Sequence, residues 1–204
     1  MFCIRRPKES RIHAYLAGQC QQFFSYELVG CTRSNVPSDQ LRGWNVDHHQ
    51  VVLGCGAETF RRARAAIEAW KMFPAETTAV FGPEKPREGL TVAVLFQAWP
   101  APLWLLMPAR VVYAIEDSVT HDGQQIDRFG FAYGTLPDHP ERGEERFLVE
   151  WNRGDDSVHY DLLAISQPQQ LLVRLGYPYA RQQQARFRRL SGLAMQRAVA
   201  ESVG

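Results

Sequence analysis

Apolar residues recur at helical spacing near the start of the chain, then at alternate positions through its middle, then at helical spacing again to its end. Ile12, Tyr15 and Leu16 form an i, i+3, i+4 stripe, and Pro7 suits a first turn, so residues 7–21 are expected to form a short helix. Residues 34–43, with Ser34, Asn35, Pro37, Ser38, Asp39 and Gly43, have the composition of a loop. Trp44 to Leu53 ends in three consecutive apolar residues and is expected to form a strand, closed by Gly54-Cys55-Gly56. The clearest helix is 57–73. Phe60, Ala63, Ile67 and Trp70 share a face, Arg61, Arg62, Arg64, Glu68 and Lys71 lie off it, and Glu58 sits where the helix dipole favours a carboxylate.

From residue 77 the period falls to two. Strands are expected near 77–81, 89–97, 104–116, 127–136, 145–152 and 157–165, separated by Gly-, Pro-, Asn- and Asp-rich turns. Consecutive strands with short connections and no intervening helix imply an antiparallel meander rather than a parallel βαβ sheet. Leu172, Leu175, Tyr179, Phe187, Leu190 and Ala194 then mark a helix over 169–200, which Gly176 and Pro178 are expected to kink or split. The fold class that buries these faces is α+β: a strongly curved antiparallel sheet wrapped around a long C-terminal helix, with a cavity where packing is incomplete. The element order resembles the helix-grip, START-like fold. One domain, 1–204, is expected, with residues 1–33 as a helical extension and 44–200 as the core.

The run from Arg128 to Leu136 (Arg-Phe-Gly-Phe-Ala-Tyr-Gly-Thr-Leu) continues as Pro137-Asp-His139-Pro140-Glu141-Arg-Gly143-Glu144-Glu145-Arg-Phe-Leu-Val-Glu150. It resembles the signature of an uncharacterised family of bacteria and plants known only as a domain of unknown function. Asp47-His48, Gly54-x-Gly56, Trp70-x-Met72-Phe73, Arg110-Val-Val-Tyr113, Tyr177-Pro178 and Arg181-Gln-Gln183 extend the likeness over roughly residues 25–195. Cys55 departs from it, because the pattern leads one to expect a charged residue there. The resemblance implies a fold and a shared pocket and no activity.

The chain has 204 residues and a formal net charge of +1, so no global field draws it onto nucleic acid, which is not an expected partner. Cys3, Cys20, Cys31 and Cys55 contain no C-x-x-C pair and read as free thiols of a reducing compartment. The charged start lacks a signal-peptide core, and the apolar stretch 95–109 is broken by Gln97, Pro100, Pro102 and Pro108. A cytoplasmic location without a transmembrane segment is therefore expected. No cofactor motif and no metal site are expected.

Several constellations have chemistry to offer. In 128–136, Phe129, Phe131, Tyr133 and Thr135 share one face and Gly130 and Gly134 the other; the glycines mark either a floor for a ligand or a sheet bend. His139, Glu141, Glu144 and Glu145 crowd one turn, and alternation lets only one of Glu144 and Glu145 face inward. Arg110, in an apolar run, needs a carboxylate (Glu144, Glu150 or Asp47) or an anionic ligand. Asp47 and His49 share a face. Gly54-x-Gly56 is a strand-to-helix turn rather than a phosphate loop. Arg174, Arg181, Arg186, Arg188, Arg189 and Arg197 make a basic tail that either meets a polyanion or pairs within the chain.

These features point first to a pocket for a small hydrophobic or amphipathic molecule, walled by Trp70, Phe129, Phe131, Tyr133, Trp151 and Tyr160 and anchored by Arg110. Two alternatives stand beside it. One is an enzyme using His139, Glu144 and Asp47 as acid–base groups; the other is an interaction module built on the arginine-rich helix.

Overall fold

The computed structural model describes residues 1–33, 37, 39–82, 84–98, 103–169 and 176–201. The element order is β1 (Phe2–Cys3), α1 (Glu9–Gln19), β2 (Asn45–Cys55), α2 (Gly56–Glu68), β3 (Thr78–Phe81), β4 (Thr91–Ala98), β5 (Leu103–His121), β6 (Gln124–Thr135), β7 (Glu141–Asn152), β8 (Ser157–Pro168) and α3 (Tyr177–Glu201). The fold class is α+β, as the change of period implies. Among the described residues the strands form one antiparallel sheet in the order β2-β8-β7-β6-β5-β4-β3, with β1 paired to β5.

Chain order and sheet order agree from β3 to β8, the meander that short connections require. Two pairings are long-range: β1 with β5, and β2 with β8, which brings Asn45–Cys55 beside Ser157–Pro168. Register shifts between Val52 and Gly54 and between Val111 and Tyr113 mark bulges, which bend a strand locally.

Period two sorts the side chains onto an inner face, which carries α2 and α3, and an outer face. Helix α2 sets Ala63, Ala66 and Ile67 against Phe129, Phe131, Phe147, Val149, Trp151, Val158, Tyr160 and Leu162. The end of α3 adds Met195 and Val199, and the Tyr160 hydroxyl lies 2.7 Å from Ser191 Oγ. This half of the inner face is packed solid. Helix α2 stops at Glu68 rather than near residue 73. Trp70 adopts φ +58, in the left-handed region, and Pro74 bars continuation through Phe73. The Trp70 ring still meets Phe131, 4.7 Å between centroids, and its Nε1 donates to the Glu84 carbonyl at 2.8 Å.

The outer face is covered as well, by residues 1–33. Ile12 of α1 packs on Ala93, Leu95 and Leu106. Tyr26 and Cys31 pack on Ile165. Gly134 makes this possible: a Cβ there would collide with the Tyr26 ring and hydroxyl. The glycines of β6 thus face away from the inner cavity, and what fills the space over Gly134 is Tyr26, not a ligand.

Helix α3 runs unbroken from Tyr177. Pro178 lies in its first turn, where a missing N–H costs nothing, so it opens the described helix instead of kinking it. Gln169 of the expected start is not helical, and residues 170–175, with Leu172, Arg174 and Leu175, lie outside the described residues. So do Ser34, Asn35 and Ser38 of the expected loop, and Pro100 and Pro102. Cys3, Cys20, Cys31 and Cys55 are free thiols. Among the described residues no helix is long and apolar enough to cross a membrane.

Candidate functional site

Where the inner face passes beyond α2, its side chains become smaller or aliphatic, and a cavity of about 480 Å³ opens beneath the first half of α3. Its apolar wall comes from β4 and β5, through cross-strand pairs that point the same way: Val94 with Met107, Phe96 with Leu105, and Ala98 with Leu103. Phe73, from the segment after α2, and Phe187 of α3 close it.

The opposite wall is polar, and the sheet register builds it. Asp47 stands opposite Ala164, Ala164 opposite Glu145, and Glu145 opposite Tyr133, one row across four strands. Ala164 has too little side chain to fill its place in that row. Two residues back on β7 is Gly143, and two further back Glu141, on the same face. Gly143 takes φ +146, and a Cβ would run into the Ile165 carbonyl of β8, so only glycine fits between the two glutamates. Helix α3 answers with Arg181, Gln184 and Arg188, at i, i+3 and i+7 on one face.

These groups form a chain. Arg181 donates to both oxygens of Asp47, at 2.5 and 2.7 Å, and to Gln184 Oε1 at 2.6 Å. Arg188 pairs with the same carboxylate at 3.1 Å. Gln184 Nε2 donates to Glu141 Oε1 at 2.5 Å. Beside them the Tyr133 hydroxyl donates to Glu145 Oε2 at 2.7 Å.

Burial raises the Glu145 carboxyl from an ordinary 4.5 to about 7; Glu141 nearby adds to the rise, and the Tyr133 hydrogen bond opposes it. Glu141 is also raised, by burial first and with the Gln184 amide opposing. Burial holds His139 down at about 4, so its imidazole is neutral at pH 7, with Nδ1 2.8 Å from the Glu141 carbonyl oxygen and 3.0 Å from the Glu141 amide nitrogen. A carboxyl titrating near neutrality, bonded to a phenol and facing an apolar chamber, is an arrangement suited to proton exchange with a bound molecule.

The residues expected from the sequence divide sharply. Tyr133 lines the cavity, whereas Trp70, Phe129, Phe131, Trp151 and Tyr160 belong to the packed core beside α2. They face inward, but the half of the sheet they occupy is filled. Arg110 does not anchor the cavity. Its guanidinium donates to the carbonyls of Gln19, Cys20 and Gln22 at 2.8–2.9 Å and to Thr91 Oγ1 at 3.0 Å, and none of Glu144, Glu150 and Asp47 is its partner. It ties the end of α1 to the sheet. Arg110→Ala is therefore expected to lower the unfolding free energy by about 3 kcal/mol, as charge-assisted bonds are lost. Ligand affinity should stay unchanged; urea unfolding and a binding titration on the same sample check both.

Of the acid–base candidates, Asp47 and His139 border the cavity, but the Glu144 carboxylate is on the outer face, held by Tyr26, Gly30 and Thr32. His48 also points outward, to Asp161, which pairs with Arg146 at 2.9 Å. In the basic tail, Arg181 and Arg188 pair with Asp47 and lie near enough to Glu141 to favour its ionised form, and Arg197 pairs with Glu76 at 3.1 Å. Sequence reasoning left out Gln184 and the pairing of Arg181 and Arg188 with Asp47. Their i, i+3, i+7 spacing was the available signal.

A family model described as Domain of unknown function (DUF1990) matches residues 25–194. A UPF0548 protein of Dictyostelium discoideum is 34% identical over 203 residues, covering 92% of this chain and 90% of that one. A UPF0548 protein of Arabidopsis thaliana is 32% identical over 153 residues, covering 75% and 72%. Among solved structures, the Zhui aromatase/cyclase of Streptomyces sp. R1128 matches with a TM-score of 0.50 at 12% identity, over 79% of this chain and 96% of that one. Human STARD10 matches with a TM-score of 0.40 at 13% identity, over 97% and 81%. The likeness to the cyclase is one of fold, the helix-grip arrangement of sheet and C-terminal helix.

Proposed function

We infer that this chain, which belongs to the family described as Domain of unknown function (DUF1990), binds a small amphipathic molecule between its sheet and α3. One observation carries the reading: a chamber of about 480 Å³ in a fold whose other half is closely packed. Protein interiors leave few voids larger than a water molecule, and small-molecule sites span roughly 300–1,000 Å³. The apolar wall of β4 and β5 suits a hydrocarbon body, and the polar row from Asp47 to Tyr133 suits a hydrogen-bonding end.

Met107→Trp tests this by filling the chamber from the apolar wall. The probe is N-phenyl-1-naphthylamine, an uncharged dye that fluoresces in apolar surroundings. The substitution is expected to weaken dye binding by more than about tenfold while costing at most about 2 kcal/mol of stability, since the added indole has empty space to enter. No binding to the parent chain, or equal binding to both chains, contradicts the reading.

A further inference from the structure

The charges around the cavity do not balance. Four acidic residues border it, Asp47, Glu141, Glu144 and Glu145; the Glu144 carboxylate turns to the outer face, which leaves three carboxyls against two guanidiniums, Arg188 of the lining and Arg181 beside it. Both guanidiniums are committed to Asp47. Glu141 and Glu145 receive only neutral donors, the Gln184 amide and the Tyr133 hydroxyl. His139, in the turn before β7, is neutral at pH 7, and the Met1 ammonium next to Phe2 is taken up by the carbonyls of Leu106 and Asp138. With all three carboxyls ionised, three negative charges meet two positive, so one negative charge stays without a counterion.

Glu141 and Glu145 share the inner face of β7 with only Gly143 between them, so no side chain separates them. Glu145 is partly buried on the cavity wall, and Tyr133 is the one hydrogen-bond donor to its side chain among the described residues. Its second oxygen therefore has no protein partner there, although the residue borders the cavity. Buried carboxylates are stable when paired and costly when not.

We propose that the cavity takes an amphipathic amine, its ammonium seated between Glu141 and Glu145 and its hydrocarbon body against Val94, Leu105 and Met107. The proposal rests on the binding function inferred above and names the ligand class. An ammonium supplies the missing positive charge and compact N–H donors for two carboxylates. A ligand carboxylate would instead face Glu141 and Glu145 at short range in a poorly screened site. Pairing with an ammonium favours the ionised form of Glu145, whose pKa in the free protein is about 7, so amine binding at pH 7 is accompanied by proton release.

Decylamine, decanol and decanoate, each below its aggregation limit at pH 7, provide the test by isothermal titration calorimetry in two buffers of different ionisation enthalpy. Decylamine is expected to bind at least about tenfold tighter than decanol, with proton release, and decanoate weaker than decanol. Glu145→Gln should weaken decylamine by at least about tenfold more than it weakens decanol, and should abolish the proton release. Decanol or decanoate binding as tightly as decylamine overturns the amine assignment while leaving the cavity function standing. Failure of all three to bind overturns both.

Discussion

Glu144→Ala is expected to lower the unfolding free energy by about 4 kcal/mol, the largest loss from any single polar truncation in this chain. The carboxylate is 2% exposed. It accepts from the Tyr26 hydroxyl and the Gly30 amide, both at 2.7 Å, from the Thr32 amide at 2.9 Å and from the Thr32 hydroxyl at 2.5 Å. Four donors on a segment without helix or strand converge on one side chain. Alanine would strand them where Tyr26 and Cys31 exclude water, and buried donors without acceptors are expensive. The damage should be local first. Protease cleavage within residues 24–33 should appear under conditions that leave β6 and β7 intact, and urea midpoints give the global cost. Glu144→Gln, which keeps one acceptor oxygen, should lose about half as much. A loss below about 1 kcal/mol for the alanine variant would show that the segment is held by packing alone.

Glu145→Gln should do the opposite, and by an amount that depends on pH. The Glu145 carboxyl rises from 4.5 to about 7 on folding, mainly through burial. Such a group contributes fully below its unfolded value, where it is protonated in both states. That contribution is lost as the pH climbs through the folded value. Above pH 7 the folded chain carries the cost of an ionised, buried carboxyl, at most about 3 kcal/mol for a shift of this size. Glutamine removes the charge and keeps an oxygen to accept from Tyr133. The variant should match the parent below about pH 4.5, gain on it up to about pH 7 and level off above that. His139 acts in the reverse sense. Its value falls from 6.5 to about 4, so its contribution is present above 6.5 and lost as the pH drops toward 4. Being common to both chains, it cancels in their difference. A difference in urea midpoint that stays flat from pH 5 to pH 8 would mean that Glu145 is hydrated like a surface residue.

The neighbouring glutamates also show what a sequence reveals and what it hides. Phe147, Val149 and Trp151 mark the odd positions of β7 as inward, so Glu145 was readable as the cavity carboxyl and Glu144 as the outward one. What occupies the outward side was not readable. The partners of Glu144 are more than a hundred residues away, and nothing periodic announces a loop that packs on a sheet. The same holds for Arg110. Its setting in an apolar run signalled a buried charge, yet three backbone carbonyls satisfy it, and carbonyls leave no trace in composition.

The aromatic wall went astray for a related reason. Alternation identifies the face on which Phe129, Phe131, Trp151 and Tyr160 lie, but it says nothing of which helix covers them. Large rings fill the space they are given. The void lies instead where the inner rows pass to Ala98, Gly143 and Ala164, and a search for small residues on that face would have pointed to it. Strand order and helix identity were legible because each follows from local period and short connections. The β2–β8 pairing and the N-terminal cover were not, because both rest on contacts far apart in sequence.

Two of the four methionines report on the cavity account most directly. Met107 lines the chamber, and Met195, on the second half of α3, is fully buried in the packed half. In a sample carrying ¹³C-methyl methionine, titration with decylamine should shift the Met107 methyl resonance in a saturable way and leave Met195 in place. Both resonances moving together, or Met107 staying still while the amine binds elsewhere, would contradict a ligand chamber between the sheet and the first half of α3.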